Sequence, residues 1–410
     1  MPTALLITRT ASVVRVALPH FLLVLAAITT SSAQRASDPA LTEPPVQISP
    51  GVRYTEQKRS FQAVPSIEHT PDGRLWASWF ARGSDGRKGD YVVLATSTDG
   101  GQTWSPPKLV IDPAGSVRAF DPCLWFDPDG VLWLFWAQSY GPWDGRGGVW
   151  CITSEDSQAR SPTWAMPRRL CDGVMVNKPV LLASRDWLLP VSIWSRPASA
   201  QTPARYRHDP GPSVGAGAHV IRHTTGEIEK LGRVLTSRRD YDEHSIVELG
   251  DGSLWMLIRT PEGVMESNSR DSGVTWSPAR PSAIRNINSR FCIRRLKSGS
   301  LLLVTHEPPD GRTRSHLIAR ISTDDGGTWR GGLMLDERPG VSYPDAAEGP
   351  KGVINIIYDY ERTGARQILL AQFNEGNVLR GKASRSTRLR MVVSDASGGP
   401  PTRTRTSGSK

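Results

Sequence analysis

The chain has 410 residues, a formal net charge of +10 and 14 tryptophans. The charge is terminal: residues 381–410 hold +6 and residues 1–35 hold +3, which leaves about +1 between them and excludes a basic nucleic-acid-binding body. Heptads and long 3.6-residue apolar stripes are absent, which excludes a helical bundle, and no CxxC, HExxH or other zinc spacing occurs.

The N-terminus has the layout of a secretory signal over residues 1–33. Arg9 and Arg15 precede the apolar run Phe21–Ile28, and Ser31-Ser32-Ala33 supplies small residues for cleavage. The expectation is a secreted or periplasmic protein with no stable membrane span, an N-terminal membrane anchor being the alternative. Residues 34–50 read as a polar, proline-containing linker, 51–378 as the folded body, and 379–410 as a basic disordered tail.

Along the body, six turns recur at intervals of roughly 47 to 66 residues. They are Asp72-Gly73, Asp129-Gly130, Arg185-Asp186, Asp251-Gly252, Ser298-Gly299 and Lys351-Gly352. Strand-like runs follow most of them, such as Leu75–Trp79, Leu132–Trp136 and Leu254–Ile258. A second series is interlocked with the first. Ser-x-Asp-x-Gly-x-Thr-Trp appears at Ser97–Trp104 and Ser269–Trp276. Ser322–Trp329 repeats it, and a damaged copy runs from Ser154 to Trp164. Asp and Gly in such a run favour a tight turn that the Trp can cover. Two interlocked series of this period predict an all-β, six-bladed β-propeller with four strands per blade. Residues 195–218 interrupt the third unit, either as a surface insertion or as part of a substrate rim. Cys123, Cys151 and Cys171 lie in or beside the second unit, where either a disulfide or simple core thiols would fit.

The innermost strand of each blade lines the channel of a propeller. Aligning the first strand of each unit on its following turn makes Pro65, Pro122, Pro179, His244, Phe291 and Pro344 equivalent. The residues just before them are Val64, Asp121, Lys178, Glu243, Arg290 and Tyr343. Five of these six are ionisable, which predicts a polar site at the channel mouth.

The Ser-x-Asp-x-Gly-x-Thr-Trp motifs are those of Asp-box, or BNR-repeat, proteins, and residues 55–375 resemble bacterial sialidases of the six-bladed type. The resemblance makes the Asp boxes structural turns. It implies an exported glycoside hydrolase of exo-α-sialidase type with a glycan or glycoconjugate substrate and neither cofactor nor metal. Asp242–Gly252 resembles the stretch with the catalytic Glu, here Glu243, and the region around Tyr343 resembles that of the tyrosine nucleophile. Arg259 and Arg314 resemble two arginines of the triad that holds the sialic acid carboxylate. Asp85 matches the acid/base aspartate, with Asp90 as the second choice. A carboxylate nucleophile would be repelled by the substrate's own carboxylate, and a neutral tyrosine with a base beside it is not. One departure stands out: Ala63 occupies the place of the first triad arginine, and alanine cannot fork onto a carboxylate. Arg118, Lys178 or Arg290 would then compensate as substrate-binding residues, with Asp121 beside them. Hydrolysis of another acidic glycan, or glycan binding without catalysis, are the alternatives.

Overall fold

The computed structural model describes residues 38–86, 89–141, 148–194, 201–206, 217–224, 227–236 and 241–397. The signal-peptide reading lies outside them. No helix among the described residues is long and apolar enough to cross a membrane.

Six antiparallel sheets follow one another along the chain and form a six-bladed β-propeller. Blade one holds β1 (Val46–Ile48), β2 (Arg59–His69), β3 (Leu75–Gly83), β4 (Tyr91–Ser97) and β5 (Leu109–Ile111). Blade two holds β6 (Val117–Phe126), β7 (Leu132–Tyr140), β8 (Gly148–Ser154) and β9 (Arg168–Asp172). Blade three holds β10 (Val180–Leu181), β11 (Trp187–Ile193), β12 (Gly217–Thr224) and β13 (Glu227–Val234). Blade four holds β14 (His244–Glu248), β15 (Leu254–Thr260), β16 (Gly263–Ser269) and β17 (Arg280–Pro281). Blade five holds β18 (Cys292–Arg295), β19 (Leu301–His306), β20 (Leu317–Ser322) and β21 (Arg330–Asp336). Blade six holds β22 (Val341–Glu348), β23 (Ile354–Tyr360), β24 (Gln367–Phe373) and β25 (Arg388–Asp395), with helix α1 (Glu375–Arg380) before the last strand.

Counting blade one from β2, since β1 is an added outer strand, all six turns of the first series join the first and second strands of a blade. Five of them place a glycine at positive φ, Gly73, Gly130, Gly252, Gly299 and Gly352, and in blade three Arg185 takes that conformation at 74°. The clean Asp boxes join the third and fourth strands of blades one, four and five, and the damaged copy does so in blade two. In the first box the Asp99 carboxylate accepts from Ser97 Oγ at 2.8 Å, Thr103 N at 2.9 Å and Thr103 Oγ1 at 2.6 Å. The same pattern recurs at Asp271 and Asp324. The threonine hydrogen bonds pull all three carboxyls down to about 2.

The core lies between blades. Leu132, Leu134 and Trp136 of β7 pack toward blade one, while Trp133 and Phe135 pack toward blade three. Similar layers follow around the ring and end with Ile67 and Trp79 of blade one against Ile357, Leu370 and Val393 of blade six. Both faces of β3, β7, β11, β15, β19 and β23 are therefore buried, which is why these strands read as nearly unbroken apolar runs. Polar contacts also close the ring: Arg59 Nη1 donates to Ser394 Oγ at 2.9 Å and Gln62 Nε2 to the Arg366 carbonyl at 2.5 Å.

Two boundaries differ from expectation. β1 lies inside the stretch read as a linker, and α1 and β25 extend past the expected end at 378. The basic composition of 379–410 masks an alternation at Leu389, Met391 and Val393 that pairs with β24 and packs inward. All four cysteines are free thiols, so the second unit carries core thiols and no disulfide.

A chain ended at Gly381 loses β25, the partner of β24, together with Ser394. Its melting temperature should fall sharply, or the protein should aggregate; wild-type melting would contradict the role given to β25.

Candidate active site

In an antiparallel meander, the first strand starts at the end where the second meets the third. The opposite end carries the glycine turns and the Asp boxes. The polar residues read from the sequence collect at the start end. β2, β6 and β22 slip register at the same place, between Ala63 and Ser66, Phe120 and Cys123, and Ser342 and Asp345. The residue before the proline there, Val64, Asp121 or Tyr343, has a φ of 52°, 49° or 55°. A left-handed conformation at such residues costs about 1–3 kcal/mol. Bulges of this kind re-aim side chains and recur near active sites. In blade four the left-handed residue is Asp242, at φ 47°, and Glu243 follows it.

Three side chains from blades four and six meet. Tyr343 Oη donates to Glu243 Oε1 at 2.9 Å. Arg259 Nη1 donates to Glu243 Oε2 at 2.7 Å and to Tyr343 Oη at 2.9 Å. Arg259 is itself fixed through Nε to Asn288 Oδ1 at 2.8 Å. Glu243, Arg259 and Tyr343 are 4%, 3% and 7% exposed, so their charges are balanced almost without water. Burial alone would raise the Glu243 carboxyl, but the Arg259 guanidinium outweighs it and holds the group below its ordinary value. Burial, helped by the Glu243 charge, raises the Tyr343 phenol. The ground state is thus a neutral phenol donating to a carboxylate, with one guanidinium bonded to both.

The other expected residues divide by depth. Asp121 is almost buried, and no donor among the described residues hydrogen-bonds or ion-pairs its carboxyl. Burial and the nearby Glu243 charge push it up to about 7. Arg290 Nε donates to Asn177 Oδ1 at 2.7 Å and Nη2 reaches Asp345 Oδ1 at 3.4 Å, while Nη1 has no hydrogen-bonding partner among the described residues. Lys178 forms a floor: its Nζ donates to the carbonyls of Ile67 and Leu124 at 2.6 and 2.5 Å and pairs with Glu68 and Asp345 at 3.2 Å each. Lys178 and Asp345 also line a cavity of about 440 Å³ with Trp125, Glu248 and Arg294, toward the turn end.

Two expected residues stand in other surroundings, and a third, Arg314, lies over the site. Arg118 is held by Asp90 and the Gly141 carbonyl, so Asp90 is a buried acceptor for Arg118 and Arg82. Asp85 pairs with Arg53 at 3.1 Å and lines a surface cleft with Lys58 and Tyr91. Arg314 lies over the Tyr343 ring, 5.5 Å from its centroid, and donates to the Asn288 carbonyl at 3.3 Å. One residue was not anticipated: Arg362, in the turn between β23 and β24, lies 4.2 Å from the same centroid. Its position depends on the β23–β24 turn, at the start end of blade six, and corresponds to no repeated offset. Among the described residues no cluster of three His, Cys, Asp or Glu side chains is placed to hold a metal.

The six-bladed propeller gathers these ionisable residues at one channel mouth. The BNR repeat-like domain model matches residues 73–356, and the chain belongs to that family. The sialidase of Micromonospora viridifaciens is 25% identical over 390 residues, covering 85% of this chain. The match spans only 58% of that relative's length. The intramolecular trans-sialidase of Ruminococcus gnavus, solved with oseltamivir carboxylate, superposes with a TM-score of 0.58 at 14% identity, over 82% of this chain and 98% of that one. The α-L-arabinanase of Penicillium chrysogenum, complexed with arabinobiose, gives a TM-score of 0.53 at 13% identity over 82% and 99%. These structural likenesses establish a shared propeller fold.

The state of Asp121 is testable through stability. Its folded value lies above that of a free aspartate, so the native state binds the extra proton between about pH 4 and pH 7. Stability from this group is full below about pH 4 and is lost as pH rises toward 7. Asp121→Asn should therefore gain melting temperature over wild type progressively across that range. A difference independent of pH would contradict a protonated Asp121.

Proposed function

We propose that the protein is a glycoside hydrolase for acidic sugars, acting as a retaining exo-α-sialidase does, with Tyr343 as nucleophile. The observation that carries this reading is the 2.9 Å hydrogen bond from Tyr343 Oη to Glu243 Oε1, bridged by Arg259 Nη1. Family membership and the distant sialidase relative support the class of chemistry.

In this reading Tyr343 Oη attacks the anomeric carbon while its proton passes to Glu243. Arg259 stabilises the phenolate character that develops on the oxygen. The bond to the leaving oxygen breaks as Asp85 protonates it, which leaves a glycosyl-tyrosine. Asp85 then takes a proton from water, the water oxygen attacks the anomeric carbon, and the phenolate recovers its proton from Glu243. Asp85 must leave Arg53 to do this. That pair is half exposed on both sides, and exposed pairs are worth only about 0–1 kcal/mol. Arg259 and Arg314 face the substrate carboxylate, and Asp121 and Arg290 face the rest of the sugar. Ala63 supports a second reading of the same class, an acidic glycan other than a sialoside.

Release assays on a panel of sialosides and uronic-acid glycosides test the reading. Tyr343→Phe should fold normally and lose several orders of magnitude in turnover, with Glu243→Gln similar. The double variant should be little worse than either, because the pair acts as a unit. Wild-type activity in Tyr343→Phe would refute the nucleophile; glycan binding with no turnover in the wild type would favour a non-catalytic propeller.

Leaving-group dependence tests Asp85 separately. Asp85→Ala should slow alkyl glycosides far more than aryl glycosides, whose leaving oxygens need little protonation. Equal slowing of both would remove Asp85 from the acid/base role.

A further inference from the structure

Four of the six blades cover the seam they share with the preceding blade. The tryptophan that ends each Asp box packs there: Trp104 over blades six and one, Trp164 over one and two, Trp276 over three and four, and Trp329 over four and five. The box glycines follow the same rule. A Cβ at Gly101, Gly273 or Gly326 would come within 2.7, 3.4 or 2.5 Å of Leu370, Val220 or Trp255, each in the blade before. Helix α1 closes the seam of blades five and six, with Val378 buried in it. Blade three has neither device. Only residues 225 and 226 separate β12 from β13, and neither is a tryptophan.

The seam between blades two and three therefore lacks a cover, and a cleft of about 460 Å³ lies at its turn end. Its walls are aromatic. Trp133 holds the second position of β7, as Trp76 and Trp255 do in β3 and β15. Trp76 lies edge-on to Trp164 at 6.0 Å, whereas Trp133 meets Trp187 and His223 of blade three, edge-on at 5.1 and 5.5 Å. The His223 ring stacks on Trp187 at 4.5 Å. His223 is 8% exposed, and its Nε2 has no hydrogen-bonding partner among the described residues. Burial, helped by the Arg168 charge, lowers the imidazole below its ordinary value, so it is neutral at pH 7. At the rim, Arg185 and Asp129 form an exposed pair across the seam at 3.2 Å.

We propose that this cleft is a second binding site, separate from the channel mouth, for a neutral hexose unit of a glycan. The C–H face of a pyranose packs on aromatic rings. Each of its hydroxyls both donates and accepts, so it can complete a neutral imidazole and bond a guanidinium and a carboxylate side by side. An apolar peptide side chain would fill the same walls but leave the buried His223 Nε2 unmet. The volume falls within the ~300–1,000 Å³ of small-molecule sites. The cleft opens at the turn end and Tyr343 at the start end, so the site holds the protein on a glycan without occupying the mouth. It requires no turnover there.

Calorimetric titration of the full chain with lactose, cellobiose, mannobiose and N,N′-diacetylchitobiose tests the site. At least one should bind. Thr224→Trp sets an indole at the partly exposed end of β12, where the other blades begin a box, and should abolish that binding. Trp187→Ala should weaken it about tenfold, the loss of one aromatic wall. Trp187→Leu serves if the alanine variant misfolds, with melting temperatures as the control. Binding of none of the four, or binding that survives both substitutions, would overturn the proposal. Self-association that Thr224→Trp abolishes, measured by sedimentation and found in place of sugar binding, would make the cleft a seat for a second copy of the chain and would overturn it too.

Discussion

Everything in this molecule depends on burying both faces of each blade. A sheet covered on both sides cannot stand alone, so each blade needs two neighbours and the ring must close. Leu132, Leu134 and Trp136 facing one way and Trp133 and Phe135 the other show this within five residues. Closure falls on blades one and six, which are sequence-remote, and there the apolar layer is reinforced by Arg59 and Gln62 reaching Ser394 and Arg366. Ring closure also creates the site. The innermost strands have no further strand to cover them, so their starts can bear charges that the interior of a blade would not tolerate.

Those charges are arranged in two tiers. The floor is an ionic knot of Lys178, Glu68, Asp345 and Arg290, satisfied by carbonyls and by Asn177. Buried ions held this way contribute little net stability but would be costly to leave half-paired. The mouth is different. Glu243 and Arg259 compensate each other around Tyr343, while among the described residues Asp121 has no hydrogen-bonding partner and the Arg314 side chain has only a carbonyl. Apart from Arg290 Nη1 the floor is satisfied, and the unmet groups at the mouth are those a ligand would complete.

Much of this was legible in the sequence because it repeats. The turns at Asp72-Gly73 and its five counterparts and the Asp boxes carry strong local chemistry, so they fixed blade number and the place of each hairpin. Aligning on the turns placed Asp121 and Tyr343 at equivalent positions, and the shared left-handed backbone is the physical basis of that equivalence. What does not repeat was harder to see. Arg362 reaches the Tyr343 ring from a turn unique to blade six. Lys178 shares the channel alignment but reaches down to the floor, because the buried carbonyls of Ile67 and Leu124 and the carboxylates of Glu68 and Asp345 lie there. The last strand was hidden by arginines: Arg388 and Arg390 alternate with inward-facing Leu389 and Met391, and composition averaged over thirty residues erased that pattern.

The central claim is that Tyr343, activated by Glu243, becomes covalently attached to the sugar. A glycoside of an acidic sugar with fluorine beside the anomeric carbon and a good leaving group tests it directly, because fluorine there slows breakdown of the intermediate more than the leaving group slows its formation. Intact-protein mass followed by peptide mapping should find one sugar per chain on Tyr343, with labelling much slower in Glu243→Gln. A label on a carboxylate or any other side chain, or steady turnover of an unfluorinated glycoside in a protein that never acquires the label, would contradict the account.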